Sequence, residues 1–203
     1  MTANSSPVRT RFRALFKPRV VRLLLLCVPL LLVLRFTNWL ESRVFYFPSP
    51  ASRQSMAAPS GAIDAFFPGP DGATLHGWLM LASTTEPGPH PTILHCHGNA
   101  GNIRDHADFS MFLAAKGYNV FLFDFRGYGA SDPGPHHRDA LMADTRAALD
   151  ALANRPEVDP ARIGVLGVSI GCVFAAELAA TDDRVRACVL AAPFASWSSI
   201  AGT

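Results

Sequence analysis

Several features that would assign a function directly are missing from this sequence. Its four cysteines form no CxxC pair and no metal-ligand spacing, so we expect small buried residues rather than a zinc site. The first 40 residues hold seven basic side chains and no acid, whereas residues 41–203 hold the other 11 basic residues against 16 acids. The main domain is therefore mildly acidic, which argues against nucleic acid as a partner.

Long apolar runs are also scarce. Leu23–Leu34 has 12 residues without a charge, about 18 Å as a helix, against a hydrocarbon core of roughly 30 Å. Extension to residues 20–40 gives enough length, with Arg22 and Arg35 near the ends, where their side chains can reach the headgroups. A cleaved signal peptide would need an A-x-A-like site, which is missing.

We therefore expect residues 20–40 to be a single-pass membrane anchor. A cleaved signal, or a helix docked on the domain or lying in the membrane interface, remains as an alternative. The basic residues 1–19 would stay in the cytoplasm, and the domain would face the periplasm, a lumen or the cell exterior.

Beyond a lead-in and linker at residues 41–61, rich in Pro, Ser and Ala, residues 62–203 alternate between strand and helix patterns. An initial hairpin is followed by strands and helices in turn, which predicts an α/β fold, a mostly parallel sheet with helices on both faces. The predicted strands are 62–67, 74–81, 91–95, 118–125, 162–167 and 185–192, and the predicted helices are 103–116, 138–154 and 170–180.

The sequence GVSIG at residues 167–171 is the strongest chemical signal. The motif G-x-S-x-G is short, but here it lies where a buried strand ends and a helix begins, as a nucleophile elbow requires. The sharp turn would lift the Ser169 hydroxyl above the sheet, next to the N–H groups at the start of the helix. An ordinary turn with a serine N-cap is the alternative.

A second motif, HCHGNAGN at residues 95–102, favours the elbow. It follows an earlier strand and opens a helix, as expected of a loop that holds an oxyanion through backbone N–H groups. The expected donors are Ile170 and a residue of this loop, Asn99 first and Ala100 second. His95 and His97 could together suggest a metal, but no third ligand is evident nearby, so we expect none.

A third motif, FDFRGYGASD at residues 123–132, contains an acid near a strand end. In this kind of hydrolase the acid and the histidine follow the serine in the chain, so Asp124 is not expected to belong to the triad. We expect Asp124 and Arg126 to brace neighbouring loops through hydrogen bonds.

Together, in this order and spacing, the three motifs resemble the serine-aminopeptidase-like α/β hydrolases. More narrowly they are similar to the membrane-anchored group named for the bud-emergence protein of fission yeast, and to the vertebrate α/β-hydrolase-domain proteins close to it. The sequences ESRVFYFP at residues 41–48 and DGATLHGW at residues 71–78 also resemble the lead-in of that group. The resemblance covers residues 41–203 and implies an α/β-hydrolase fold without a cofactor. It implies a serine hydrolase acting on a small-molecule or peptide ester, thioester or amide, with Ser169 as the nucleophile.

Histidine is absent after Ser169, since all seven histidines precede it. The later acids, Glu177, Asp182 and Asp183, lie in or just after the predicted helix, and only about six of the eight strands of the fold are present. A serine without a base is a poor nucleophile. We therefore expect a truncated hydrolase in which this chain alone turns over poorly; the alternative is a non-catalytic, membrane-anchored module.

Overall fold

The computed structural model describes residues 18–194. The chain divides into two compact units, residues 1–41 and residues 42–203. Most of the predicted basic tail (residues 1–17) and the last nine residues (195–203) lie outside the described part.

The first described element is the helix α1, Pro18–Val44. Its longest run without a charge is Leu23–Leu34, which contains Pro29 and is followed by Arg35. Within the described residues, no helix is long and apolar enough to cross a membrane. This finding contradicts the predicted single-pass anchor, and with it the predicted placement of the domain in the periplasm, a lumen or the cell exterior.

The second unit is built around one six-stranded sheet with the order β1-β2-β4-β3-β5-β6. β1 and β2 form the predicted antiparallel hairpin and β2 also runs antiparallel to β4, whereas β4, β3, β5 and β6 are parallel. The strands are β1 Ala62–Pro68, β2 Thr74–Met80, β3 His90–Cys96, β4 Asn119–Asp124, β5 Val158–Val168 and β6 Val185–Ala191. The helices of this unit are α2 Ile103–His106, α3 Arg138–Ala153 and α4 Gly171–Thr181, with short 3₁₀ turns at Pro70–Gly72, Ala107–Phe109 and Met111–Lys116.

Alternate residues of the central strand β4 face two different hydrophobic layers. Phe121 and Phe123 pack in the larger cluster with side chains of α3 and α4, whereas Val120 and Leu122 pack in a smaller cluster with Ile103 on the other face. All six residues of β4 are buried, as expected for a strand covered on both sides. The predicted α/β architecture with helices on both faces is confirmed.

The predicted helix 103–116 is not one helix. It is a single turn, α2, followed by two 3₁₀ turns, and the break falls at Ser110, whose buried hydroxyl lies 2.8 Å from His95 Nδ1. Phe109 and Phe112, which periodicity placed together on one side of a helix, are 52% and 59% exposed. A buried polar contact has therefore overridden the helical pattern.

Two further expectations differ from the structure. Residues 48–61, which composition favours as a linker, lie against the domain: Met56 is fully buried, and its carbonyl accepts a hydrogen bond from Trp78 Nε1. Cys188, expected to be buried, is exposed because β6 is the last strand of the described sheet, and Cys27 on α1 is exposed as well. Cys96 and Cys172 are buried as expected.

Candidate active site

The carboxyl ends of β3 and β5 define the candidate site. These strands are neighbours, but the chain leaves β3 toward β4 on one side and leaves β5 toward β6 on the other. In open α/β sheets such a reversal opens a crevice beyond the strand ends, where ligands bind. The two motifs singled out in the sequence, residues 95–102 and 167–171, meet at this point.

Ser169 lies between the end of β5 and the start of α4, in the turn that the motif predicts. Its φ is 53°, in the left-handed region that non-glycine residues rarely occupy. The turn is held by hydrogen bonds from Ser169 N to Ala191 O (2.9 Å) and from Cys172 N to Ser169 O (3.0 Å). The residue is half-buried, and the structure shows no hydrogen bond between its hydroxyl and any described residue.

Close packing explains the two glycines that flank this serine. A Cβ on Gly167 would lie 2.6 Å from Cys172 Cα and 2.7 Å from Gly171 O. A Cβ on Gly171 would overlap the carbonyl oxygen of Cys96 and lie 2.6 Å from that of His97. The start of α4 therefore abuts the end of β3 and the first residue of the loop that follows it.

That loop, residues 97–102, would supply the second oxyanion donor. The N–H of Ile170 and the N–H of Asn99 have no acceptor among the described residues, whereas Ala100 N donates to Asn99 Oδ1 at 2.9 Å. Of the two loop residues expected as donors, Asn99 is thus the one whose N–H is available. Ala100 is exposed and has a φ of 60°.

A family comparison decides the fold assignment. The family model described as alpha/beta hydrolase fold matches residues 91–203, which include both loops of the site. The chain belongs to the α/β-hydrolase fold family. The predicted fold class is confirmed by this match, and so is the broader part of the resemblance stated from the sequence.

Relatives of this hydrolase-fold chain include uncharacterised proteins. Protein YfhR of Salmonella typhi is 32% identical over 195 residues, which cover 90% of this chain and 66% of that protein. Protein bem46 of Schizosaccharomyces pombe is 38% identical over 128 residues, covering 62% of this chain and 42% of bem46. The chain thus spans less than two thirds of the length of these relatives.

The solved structures that resemble the chain include an enzyme of the same fold. The Pyrococcus furiosus esterase Pf2001 has a TM-score of 0.58 and 25% identity, covering 74% of this chain and 56% of the esterase. Together with the family match, this likeness supports the assignment of the fold.

The two histidines of the HCHGNAGN motif, His95 at the end of β3 and His97 in the loop after it, are buried. Each makes a contact through Nδ1, whereas Nε2 of each has no hydrogen-bond partner among the described residues. Burial lowers the pKa of His95 to about 3 and that of His97 to about 4. His95 Nδ1 lies 2.8 Å from Ser110 Oγ, and His97 Nδ1 lies 2.7 Å from Gly98 O. Within residues 18–194, the structure contains no group of three or more side chains placed to hold a metal ion.

Buried Asp124 contacts residues next to the candidate site. Its Oδ1 accepts a hydrogen bond from Ile103 N at 2.9 Å, at the end of the oxyanion loop, and its Oδ2 lies 3.3 Å from His76 Nδ1. The other ring nitrogen of His76 lies 2.7 Å from Asp64 Oδ1. Burial lowers the pKa of His76, but the hydrogen bonds to Asp124 and Asp64 outweigh it and raise the pKa above its usual value.

Arg126, expected to brace neighbouring loops, is instead held against helix α3. Its guanidinium donates to buried Asp144 of α3 at 2.7 and 3.0 Å, and its backbone N–H donates to the same carboxylate at 3.0 Å. This hydrogen bonding raises the pKa of Arg126. Asp144 lies on the apolar face of helix α3. A carboxylate at such a position predicts a buried, positively charged partner, and this was the signal in the sequence that could have revealed the pair with Arg126.

A cleft of about 790 Å³ lies beside the oxyanion loop of this hydrolase-fold unit. Ala100 forms one side, and the segment Tyr46–Ser49 forms much of the rest, together with His136. Burial lowers the pKa of His136. Among the side chains that the structure describes, no carboxylate, lysine or arginine lines this cleft. Sequence reasoning placed Tyr46–Ser49 in a lead-in and missed its position at the site.

Proposed function

We propose that this chain carries the nucleophile and the oxyanion donors of a serine hydrolase that acts on an ester, thioester or amide. Ser169 Oγ would attack the carbonyl carbon, and the N–H groups of Asn99 and Ile170 would donate to the oxygen on which negative charge develops. The bond from the carbonyl carbon to the leaving group would then break, which releases an alcohol, thiol or amine and leaves an acyl-serine for water to hydrolyse. The observation that carries the proposal is the positive φ of Ser169 in a glycine-flanked turn packed against the oxyanion loop.

The attack also requires that the hydroxyl proton be taken up by a base. No histidine among the described residues makes a hydrogen bond to the Ser169 hydroxyl, and buried His95 and His97 have strongly lowered pKa values. Without a paired base, an oxyanion hole and substrate binding still accelerate acyl transfer about 10³–10⁴-fold over water. We therefore expect this 203-residue chain to react slowly, and only with activated acyl or phosphoryl groups.

The cleft at the oxyanion loop supports a substrate whose bound part is uncharged. Its lining offers aromatic surface from Tyr46 and Phe47, and the described side chains of the lining include no charged group that could pair with an ionised substrate. Burying an unpaired charge there would be costly. The proposed chemistry needs no metal or cofactor.

Labelling with an alkyl fluorophosphonate tests the proposal. The reagent phosphonylates a serine hydroxyl: a P–O bond to Oγ forms, the P–F bond breaks, and fluoride and the hydroxyl proton leave to solvent. Its P=O oxygen is then placed where an oxyanion would lie. After hours of incubation, peptide mass spectrometry should find the label on Ser169 in preference to every other serine. Ser169→Ala should remove this label.

Ser55→Ala is the matched control, since Ser55 is an exposed serine in the turn at residues 52–55. It should leave the labelling of Ser169 unchanged. Equal labelling of Ser169 and exposed serines such as Ser55 would contradict the proposal, because Ser169 would then have no advantage from its surroundings.

A further inference from the structure

The half-buried side chain of Asn99 makes four hydrogen bonds. Its Oδ1 accepts from Phe47 N (3.0 Å), Ala100 N (2.9 Å) and Tyr128 Oη (3.2 Å), and its Nδ2 donates to Phe45 O (2.7 Å). Two of these partners are backbone groups of the segment that precedes the domain. One amide thus joins three separate parts of the chain.

The same segment is fixed to the site by backbone hydrogen bonds as well. Ser49 N donates to Gly101 O at 3.1 Å, and Gly129 N donates to Ser49 O at 3.1 Å. Ala51 N then donates to Gly129 O at 2.6 Å. We call residues 45–51 the strap, since they run across the oxyanion loop and the loop after β4.

The loop beneath the strap has a backbone that needs support. Ala100 has a φ of 60° and Gly101 a φ of 70°, so two successive residues are left-handed. For the alanine this conformation is strained, and such strain persists only where surrounding contacts fix it. The contacts that fix it are Asn99 Oδ1 on Ala100 N, Ser49 N on Gly101 O and His106 Nε2, 3.1 Å from Ala100 O.

We infer that Asn99 is a positioning residue, whose side chain locks the strap onto the oxyanion loop and thereby aims the Asn99 N–H at the reacting carbonyl oxygen. The strap is then part of the reactive site rather than a lead-in to it. The strap also lines the cleft beside Ala100, so the same lock shapes the substrate surface. This inference rests on the proposed serine hydrolase function.

The test compares two asparagines that each bridge several segments through hydrogen bonds. Asn119, at the opposite end of the sheet, accepts from Ala82 N (2.9 Å) and donates to Glu157 O (2.7 Å) and Thr92 Oγ1 (3.2 Å). Asn119→Ala therefore disturbs the fold by a comparable loss of hydrogen bonds, but far from Ser169. The readout is the rate of fluorophosphonate labelling at Ser169 in the full 203-residue chain.

Asn99→Ala should slow this labelling about 10–100-fold, because a misplaced donor loses its effect on the developing charge. Asn119→Ala should change the rate less than twofold. Tyr128→Phe removes one hydrogen bond to Asn99 and keeps the ring, so it should slow labelling two- to fivefold even if Asn99→Ala fails to fold. Hydrogen exchange at Phe47 and Ala100 should be faster in Asn99→Ala.

The possible outcomes distinguish a failure of this inference from a failure of the proposed serine hydrolase function. If Ser169 is labelled in the wild type and Asn99→Ala and Tyr128→Phe react as fast as Asn119→Ala, the positioning role is wrong and the hydrolase proposal stands. If Ser169 is not preferred in the wild type, both are wrong. Slow labelling confined to Asn99→Ala and Tyr128→Phe supports both.

Discussion

At the scale of single residues, backbone strain is concentrated around the site. Four described non-glycine residues have positive φ, and three of them lie at or beside the site: Ala100, Ser169 and Ala192. A left-handed conformation costs roughly 1–2 kcal/mol in such residues. The motif GVSIG predicts this strain at Ser169, because the nucleophile elbow requires it. Nothing in the sequence predicts the left-handed conformation of Ala100, which is held by Asn99 Oδ1, by His106 and, through Gly101 O, by the strap.

Gly171 should be the glycine at which a methyl group is least tolerated. In Gly171→Ala the new Cβ would overlap the carbonyl oxygen of Cys96, and backbone atoms of β3 cannot yield as a flexible side chain would. We expect the free energy of unfolding to fall by about 2–3 kcal/mol, the upper range for overpacking. Urea unfolding followed by circular dichroism measures this.

Gly72→Ala is the matched control for that substitution. Gly72 has a φ of 77°, and no atom lies within 4 Å of a Cβ built on it, so only the backbone conformation opposes the change. The expected loss is about 1 kcal/mol. Equal losses in the two variants would show that Gly171 is not sterically confined and would weaken the packing of the elbow against β3.

At the scale of elements, the local patterns predicted the strands better than the short helices. The turn at Pro68–Gly72 and its alternating flanks were enough to predict the hairpin, and α3 buries the residues that its period of 3.6 indicated. The segment after β3 was predicted as one helix because its periodicity is helical. Its actual conformation follows from a contact between Ser110 and His95, which single-sequence periodicity cannot show.

Burial of His95 at the end of β3 should make the free energy of unfolding sensitive to acid. The pKa of His95 falls from 6.5 to about 3 on folding, because the charged ring would be buried. Between these pH values the unfolded chain binds the extra proton, so the free energy of unfolding falls as the pH falls. His95→Gln should remove about 1.4 kcal/mol per pH unit from this slope between pH 6 and 4. Urea unfolding at several pH values measures the slope.

His76→Gln serves as the control, since folding raises the pKa of His76 whereas it lowers that of His95. Its pKa in the folded protein is raised above 6.5, so its stabilising effect is complete below pH 6.5 and is lost as the pH rises through that raised value. This variant should alter the slope above pH 6.5 and leave the acid slope unchanged. An acid slope that His95→Gln does not reduce would mean that His95 is not buried as a neutral ring.

At the scale of the whole molecule, the order of the motifs was enough to predict the fold class. Where segments distant in the chain contact each other could be learned only from the structure. The residues of the elbow and of the oxyanion loop are 70 positions apart, yet their order between strands is enough to predict that they meet. Contacts that cross the chain without a local pattern were missed: the strap on Asn99, and Asp144 on Arg126. The prediction of a membrane anchor was wrong for another reason. It relied on apolar composition, and the described helix is not long and apolar enough to span a membrane.

The central claim is that Ser169 Oγ and the N–H groups of Asn99 and Ile170 face one common point. A crystal structure of the chain after reaction with an alkyl fluorophosphonate tests it most directly. The account predicts phosphorus bonded to Ser169 Oγ and a phosphonyl oxygen about 2.7–3.1 Å from both nitrogens. An adduct whose phosphonyl oxygen points to solvent, with neither N–H within hydrogen-bonding distance, would contradict it.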